Sequence, residues 1–378
     1  MRICIICAEY PPSPHGGIGT ATQSLAREFV RTGHRVQIVG LQDPSDHALQ
    51  REVDQGVEVT RIPISTGRRV GWLRSRYRLY KVVAAAVRRG EIDLVEAPDF
   101  EGWTAGWKRL DVPVVIRLHG SASYFASETG RPINRLIYEI ERMALNGASF
   151  HCATSKYAAD ATRRLFGLTR FEPEILYNPV AIPVVANEWN PLGADVVFTG
   201  TLTLKKGVIH LSHAWPEIAR EFPKARLHLY GRDGRSPDGG SMREFLIAQL
   251  PHAVRQSVVF HGGVTHDEVI LALRSAHLAV FPSLSEAFGL APMESMAQGC
   301  PTIYSSLSCG TELITNEQDG LLVDPRNIAQ LAGAMRRLLG DSDLASRLGS
   351  AGRKRADDFS IDKIARRNLC FYEKCIDN

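Results

Sequence analysis

Short apolar runs of β type alternate with helix-periodic stretches along the chain, falter over residues 171–194 and then resume. This interrupted alternation constrains the fold more than any other feature of the sequence. Strand patterns fall at residues 2–8, 36–41, 57–62, 92–96, 112–118 and 149–154, with helix patterns at 18–32 and 134–145 among them. They restart at 196–199, 226–230, 258–261, 277–281 and 302–305. Strands separated by helices pair in parallel, because a parallel pair needs a crossover, and the crossover helices then cover both sheet faces. The break carries Pro173, Pro179, Pro183 and Pro191 without a sustained apolar period, which predicts an interdomain linker with a turn at Asn178-Pro179. At 378 residues the chain is too long for one ordinary core, so two α/β halves joined at that linker are expected.

Composition excludes several classes. Charged residues at 23% and hydrophobic residues at 44% are those of a soluble globular enzyme, and no apolar run approaches membrane-spanning length. The opening MRICIICAEYPP reads as a first strand rather than a signal peptide. Seven cysteines without a secretory signal point to reduced thiols and a cytoplasmic location. Cys4 with Cys7, and Cys370 with Cys375, lack further ligands at zinc-site spacing. Asp341-Ser342-Asp343 precedes a helical pattern at 344–353 and reads as a helix cap rather than a metal motif. No metal requirement and no nucleic-acid partner are expected.

The net charge of +4 hides an asymmetry. The stretch that opens at Ser65 and closes at Gly90 holds eight basic residues (Arg68, Arg69, Arg74, Arg76, Arg78, Lys81, Arg88 and Arg89) and no acidic one. Its apolar positions Leu73, Tyr77, Tyr80, Ala84 and Val87 recur at helical spacing. Such a helix suits an anionic membrane surface or acceptor, and equally a core-facing helix with a solvated basic back.

Residues 282–301 read PSLSEAFGLAPMESMAQGCP and follow the apolar run 277–281, which predicts a buried strand opening through a turn into a helix. Glu286 falls in the turn and Glu294 about one turn into the helix. Phe288, Gly289 and Leu290 bring backbone N–H groups to the helix start, an arrangement that holds phosphate. The carboxylates suit neutral hydroxyls, so the ligand expected carries a diphosphate and sugars. The plain alternative is that Glu286 caps the helix and Glu294 forms a surface ion pair. Two other strand ends are candidates for chemistry, although by position alone a structural histidine fits the second equally well. Gly16 and Gly17 join the first strand to the first helix, and His119 follows the strand pattern 112–118. The first strand of the second half runs into Gly200-Thr201-Leu202-Thr203-Leu204-Lys205-Lys206-Gly207, where Lys206 suits a diphosphate leaving group. Neither GxGxxG nor GK[ST] occurs, so no dinucleotide or Walker site is expected.

Glu286 and Glu294 with the FGL between them, Lys206-Gly207, the Gly16-Gly17 loop and His119 together resemble the pattern of retaining GT-B glycosyltransferases of family 4. The resemblance implies two Rossmann-like, doubly wound domains facing a cleft. These would be an acceptor domain at 1–182, a nucleotide-sugar domain at 183–358 and a helix at 359–378 crossing back to the first domain. It implies transfer of a sugar, with retention, from a nucleotide-diphosphate sugar (a UDP-sugar favoured) to a glycan, lipid-linked or small-molecule acceptor. No cofactor is implied. Glu286 would hold hydroxyls of the sugar, Glu294 those of the ribose, and His119 would position the sugar. Lys206 and the N–H groups near Leu290 would take the leaving group. One position departs from the pattern: Thr201 stands where the family commonly has arginine, and Lys205 or Arg232 is the candidate substitute. Competing readings are a nucleotide-sugar-binding partner protein with weak catalysis, a phosphorylase and an epimerase. Peripheral contact with a membrane through residues 65–90 is a separate expectation.

Overall fold

The computed structural model describes residues 1–13, 16–42, 50–65, 71–169, 171–183 and 189–378. Arg68 and Arg69, named above, lie outside the described residues. By its contacts the chain divides into two compact units, Met1–Pro179 with Ile361–Asn378, and Val180–Ser360.

The first unit contains strands β1 (Arg2–Ile6), β2 (Arg35–Gln42), β3 (Gln50–Asp54), β4 (Val57–Pro63), β5 (Leu94–Pro98), β6 (Val114–Leu118), β7 (Phe150–Ala153) and β8 (Glu174–Ile175). They lie in the order β3-β4-β2-β1-β5-β6-β7-β8, parallel except for the β3–β4 pair. Counting from β1, the parallel strands step outward in one direction and then in the other, so the order reverses beside β1 and the loops after β1 and β5 part there. Gln55 and Gly56 join β3 to β4 with positive φ at both positions, the turn whose twist matches a hairpin. One face of the sheet packs the helix Gly17–Arg31 and the final helix Ile361–Asp377, which buries Ile364, Ala365, Tyr372 and Cys375. Each large side chain so buried contributes about 1.5–3 kcal/mol.

The second unit contains β9 (Asp195–Thr199), β10 (Arg226–Tyr230), β11 (Val258–Gly262), β12 (Leu278–Phe281), β13 (Thr302–Ser305) and β14 (Leu321–Val323). Their order β11-β10-β9-β12-β13-β14 is parallel throughout and again doubly wound, with its reversal between β9 and β12. The core forms around Trp215, Phe198, Leu211, Ile218, Met335 and Leu338. Four of the unit's described helices start on side-chain caps, among them the one at Thr265, where Thr265 and Glu268 form a reciprocal capping box. Asp341 accepts from the Leu344 N–H at 2.9 Å, so the Asp341-Ser342-Asp343 triplet is indeed a helix cap.

Two expectations are corrected. The helix Gly71–Arg88 does not bury the stripe through Leu73 and Tyr77, which are 49% and 59% exposed. It buries Ala84 and Val87 of that stripe, and with them Ser75, Arg76, Leu79, Val83 and Ala86. Arg76 turns inward because its guanidinium donates to the Glu101 and Gly102 carbonyls and lies 4.7 Å from the centroid of Trp103. The proline-rich stretch is not wholly linker, since Phe171 and Leu176 are core residues of the first unit and β8 completes its sheet. Six cysteines are buried and Cys370 is exposed.

Candidate active site

In the second unit the loops after β9 and β12 leave the sheet at the point where the strand order reverses. The first loop crosses Gly200 and Thr201 and forms the tight turn Leu204–Lys206. It is clamped against the second, because the Leu284 N–H donates to the Lys205 carbonyl at 2.7 Å. Gly207 takes φ +70°, and a Cβ there would stand 1.8 Å from the Pro282 carbonyl oxygen, so only glycine permits this approach. The clamp sets the Lys206 Nζ 2.5 Å from Glu286 Oε1, which also accepts from Ser283 Oγ at 2.9 Å. The Glu286 N–H donates to Ser308 Oγ at 3.1 Å. Burial works to raise the Glu286 pKa, but the charges of Lys206 and Lys205 and the bonds from Lys206 and Ser283 outweigh it and hold the carboxyl below its ordinary value.

Glu286 does not cap the following helix. That helix, Leu290–Ala297, starts at Gly289 with no side-chain cap on its first N–H groups. A Cβ on Gly289 would meet Tyr304 Oη at 2.5 Å, which fixes the backbone of the turn. Phe288 is buried with its ring 5.9 Å from that of Phe359. Glu294 Oε1 lies 3.0 Å from His266 Nε2, and that bond raises the histidine's pKa. Glu294 therefore has a histidine partner in the free chain.

In the first unit Gly16 and Gly17 open the helix Gly17–Arg31, again without a side-chain N-cap, and Glu9 Oε2 accepts from the Gly16 N–H at 2.7 Å. Arg61 holds the preceding loop through the Tyr10 and Pro11 carbonyls and Ser13 Oγ. His119 follows β6, and its N–H donates to Asp99 Oδ1 at 2.9 Å. Burial, then the charge of Arg117, pushes the His119 pKa down to about 3, so the imidazole is neutral and can donate or accept a hydrogen bond. Asp99 is buried, and its Oδ2 has no partner among the described residues. Burial first, then Glu141 against the opposing backbone bonds, pushes its pKa up to about 7. Glu141 steadies the next turn by accepting from the N–H groups of Glu101, Ala122 and Ser123.

Of the residues singled out in the sequence, Lys206 and Glu286 meet directly, with Thr201, Phe288, Gly289 and Leu290 on the same two loops and Glu294 in the helix that follows. Ser283, Ser308, His266 and Asp99 were not anticipated. Ser283 and Asp99 carried a signal, one three residues before Glu286 and the other at a strand's carboxyl end. Ser308 and His266 come close only through the fold. Among the described residues no group of three or more His, Cys, Asp or Glu is arranged to hold a metal ion.

Known proteins resemble this chain along its length. The pattern of "Glycosyl transferases group 1" matches residues 186–355, and that of "Glycosyltransferase Family 4" matches residues 15–182. The MMP alpha-(1->4)-mannosyltransferase of Mycolicibacterium hassiacum is 34% identical over 100% of this chain and 98% of its own. The glycogen synthase of Mycobacterium tuberculosis is 28% identical over 98% of this chain and 94% of its own. Among solved structures, the sucrose-phosphate synthase of Thermosynechococcus elongatus superposes with a TM-score of 0.82 at 22% identity, covering 98% of each chain.

Proposed function

This chain belongs to the glycosyl transferases of group 1, family 4, and has their GT-B fold, and from that premise we propose that it moves a sugar, with retention and without a metal, from a nucleotide-diphosphate sugar to an acceptor hydroxyl. The observation that carries the reading is the Lys206–Glu286 pair at the β9/β12 reversal, beside an uncapped helix start. A hydrogen-bonded cation and the N–H groups of a helix start stabilise a departing diphosphate, while a buried carboxylate held ionised accepts from sugar hydroxyls. The C1–O bond to the diphosphate breaks with its electron pair passing to the phosphate oxygen. The acceptor oxygen bonds C1 on the same face, and its proton passes to that phosphate oxygen. Glu294 holds the ribose hydroxyls, and neutral His119 orients the transferred sugar.

A uridine-diphosphate hexose is the first donor to test, and a relative's name directs the first acceptor to glycogen. Nucleoside diphosphate release with each donor, the anomeric configuration of the product by NMR and activity in excess EDTA test the proposal together. An inverted product overturns retention, and loss of turnover in EDTA overturns metal independence. Thr201 favours a second reading, a donor-binding protein with weak transfer. Donor hydrolysis without acceptor glycosylation supports it, orthophosphate dependence marks a phosphorylase, and an altered donor sugar marks an epimerase.

We also assign a cytoplasmic location and a peripheral contact with an anionic membrane. The contact lies on the outer side of the helix Gly71–Arg88, where Trp72, Leu73 and Tyr77 stand exposed among Arg74, Arg78 and Lys81. Among the described residues no helix is long and apolar enough to cross a membrane. Absence of sedimentation with phosphatidylserine vesicles at low salt overturns the contact.

A further inference from the structure

The first unit has a second concave surface, at the opposite end of its strands from the candidate site. On β2 the side chains of Arg35 and Gln37 share a face with Val39, because alternate residues of a strand point the same way. The register carries that face outward. Gln37 and Val39 stand beside Glu58 and Thr60 of β4, and these beside Val53 and Arg51 of β3. The helix Gly71–Arg88 packs Leu79, Val83 and Ala86 on the inner part of the face and leaves Val53 72% exposed. Between the helix and the outer strands lies a groove of about 680 Å³, a volume typical of small-molecule sites. It takes in Arg35 at the start of β2 and Glu91 and Ile92 just before β5, whereas Gly16, Asp99 and His119 follow the carboxyl ends of β1, β5 and β6.

The charges on this groove do not cancel. Arg35, Arg51 and Arg89 line it together with Glu58 and Glu91. Arg35 pairs with Glu58 at 3.0 Å and Arg89 with Glu91 at 2.6 Å. Glu52 also borders the groove, but it alternates with Arg51 and Val53, and its carboxylate bonds Arg61 on the opposite face of the sheet. Arg51 is therefore left without a carboxylate of its own. Among the described residues no hydrogen bond or ion pair holds it, and it acts only at a distance on Glu91, which Arg89 already bonds. The apolar part of the lining is aliphatic, formed by Val39, Val53, Val82, Val83 and Ala86. Among the described residues no aromatic ring lines the groove, so a nucleobase finds no stacking face there. A guanidinium fork suits a carboxylate, which it meets with two bonds, and a surplus of one charge matches a monoanion.

We propose that this groove is a binding site for a small monocarboxylate with an aliphatic body, its carboxylate on Arg51 and its chain against the valines of the helix and the sheet. The site is separate from the transfer reaction and stands or falls apart from it.

Octanoate is the probe, titrated by calorimetry into the whole chain beside octanamide, its neutral counterpart, and acetate, which lacks the chain. Octanoate is expected to bind at millimolar concentration or below, and octanamide and acetate each at least about tenfold more weakly, the scale of one charged hydrogen bond or of two buried methylenes. Arg51→Gln, a change at an exposed side chain, is expected to lower octanoate affinity about tenfold. Glu58→Gln releases Arg35 and raises it severalfold. No saturable binding of octanoate at millimolar concentration overturns the inference. Octanamide binding as tightly as octanoate also overturns it, since that marks apolar adsorption. So does an affinity unchanged by Arg51→Gln or lowered by Glu58→Gln, which places the carboxylate elsewhere.

Discussion

Each unit buries a glutamate against a cation, and the two pairs are built to different ends. In the first unit Glu96 meets Arg117 with both oxygens, Nε to Oε1 at 2.9 Å and Nη2 to Oε2 at 2.8 Å. Tyr372 Oη adds a bond to Oε2 at 2.6 Å, and Asn368 and the Leu176 carbonyl take further guanidinium hydrogens. Both side chains are almost wholly buried, at 2% and 6% exposed. In the second unit Glu286 meets the single ammonium of Lys206, whose side chain is 25% exposed. A planar fork locked on every side fixes a fold. A point charge that still reaches solvent can exchange its partner for a ligand. Ionic burial alone therefore does not distinguish the proposed site; its incomplete enclosure does.

The largest effect that separates the pairs is on stability. Arg117→Ala leaves a buried carboxylate uncompensated and is expected to cost about 3–5 kcal/mol in urea unfolding. Lys206→Ala is expected to cost clearly less, because Ser283 and Lys205 still serve Glu286. Equal losses would erase the distinction. Turnover separates the pairs in the opposite sense. Lys206→Ala and Glu286→Gln are each expected to lower transfer by about 100-fold or more with the melting temperature nearly kept, the order found for one preorganised group at a reaction centre. Near-normal transfer in both removes the site assignment.

A smaller effect sharpens the first unit's side. The Asp99 carboxyl is raised to about 7, so the folded chain holds a proton that the unfolded chain has released. Its stabilising contribution is complete below the ordinary aspartate value and is lost as pH rises through about 7. Unfolding free energy measured from pH 4 to 8 is expected to fall over that window, and Asp99→Asn to flatten the fall. Glu286, held low, behaves in reverse: its contribution is present above the ordinary glutamate value and disappears as pH falls through its depressed one. The smallest effect is that of Tyr372→Phe, about 1 kcal/mol in the same melts without change in nucleotide affinity.

The sequence discloses parallel strands because they are buried on both faces and read as unbroken apolar runs, as Leu278–Phe281 does. It conceals β3, whose residues Gln50–Asp54 are mostly exposed and polar, and the two-residue β8, too short for any period. The helix Gly71–Arg88 misleads because an arginine goes inward to carbonyls that only the tertiary structure supplies. At the candidate site, Lys206 and Glu286 were legible because each follows a strand at a reversal of strand order. Ser308, 22 residues beyond Glu286, and His266, 28 before Glu294, were not, since nothing local ties them to their partners.

The Arg117 cluster also sets an order of assembly. Its partners Asn368 and Tyr372 lie 251 and 255 residues further along the chain. At elongation rates of about 5–20 residues per second, β5 and β6 leave the ribosome roughly 10–50 seconds before the helix that covers them. Over that interval the second unit, one continuous stretch, is synthesised whole. The first unit holds an open, charged sheet face until the helix Ile361–Asp377 arrives, so its completion follows that of the unit made after it.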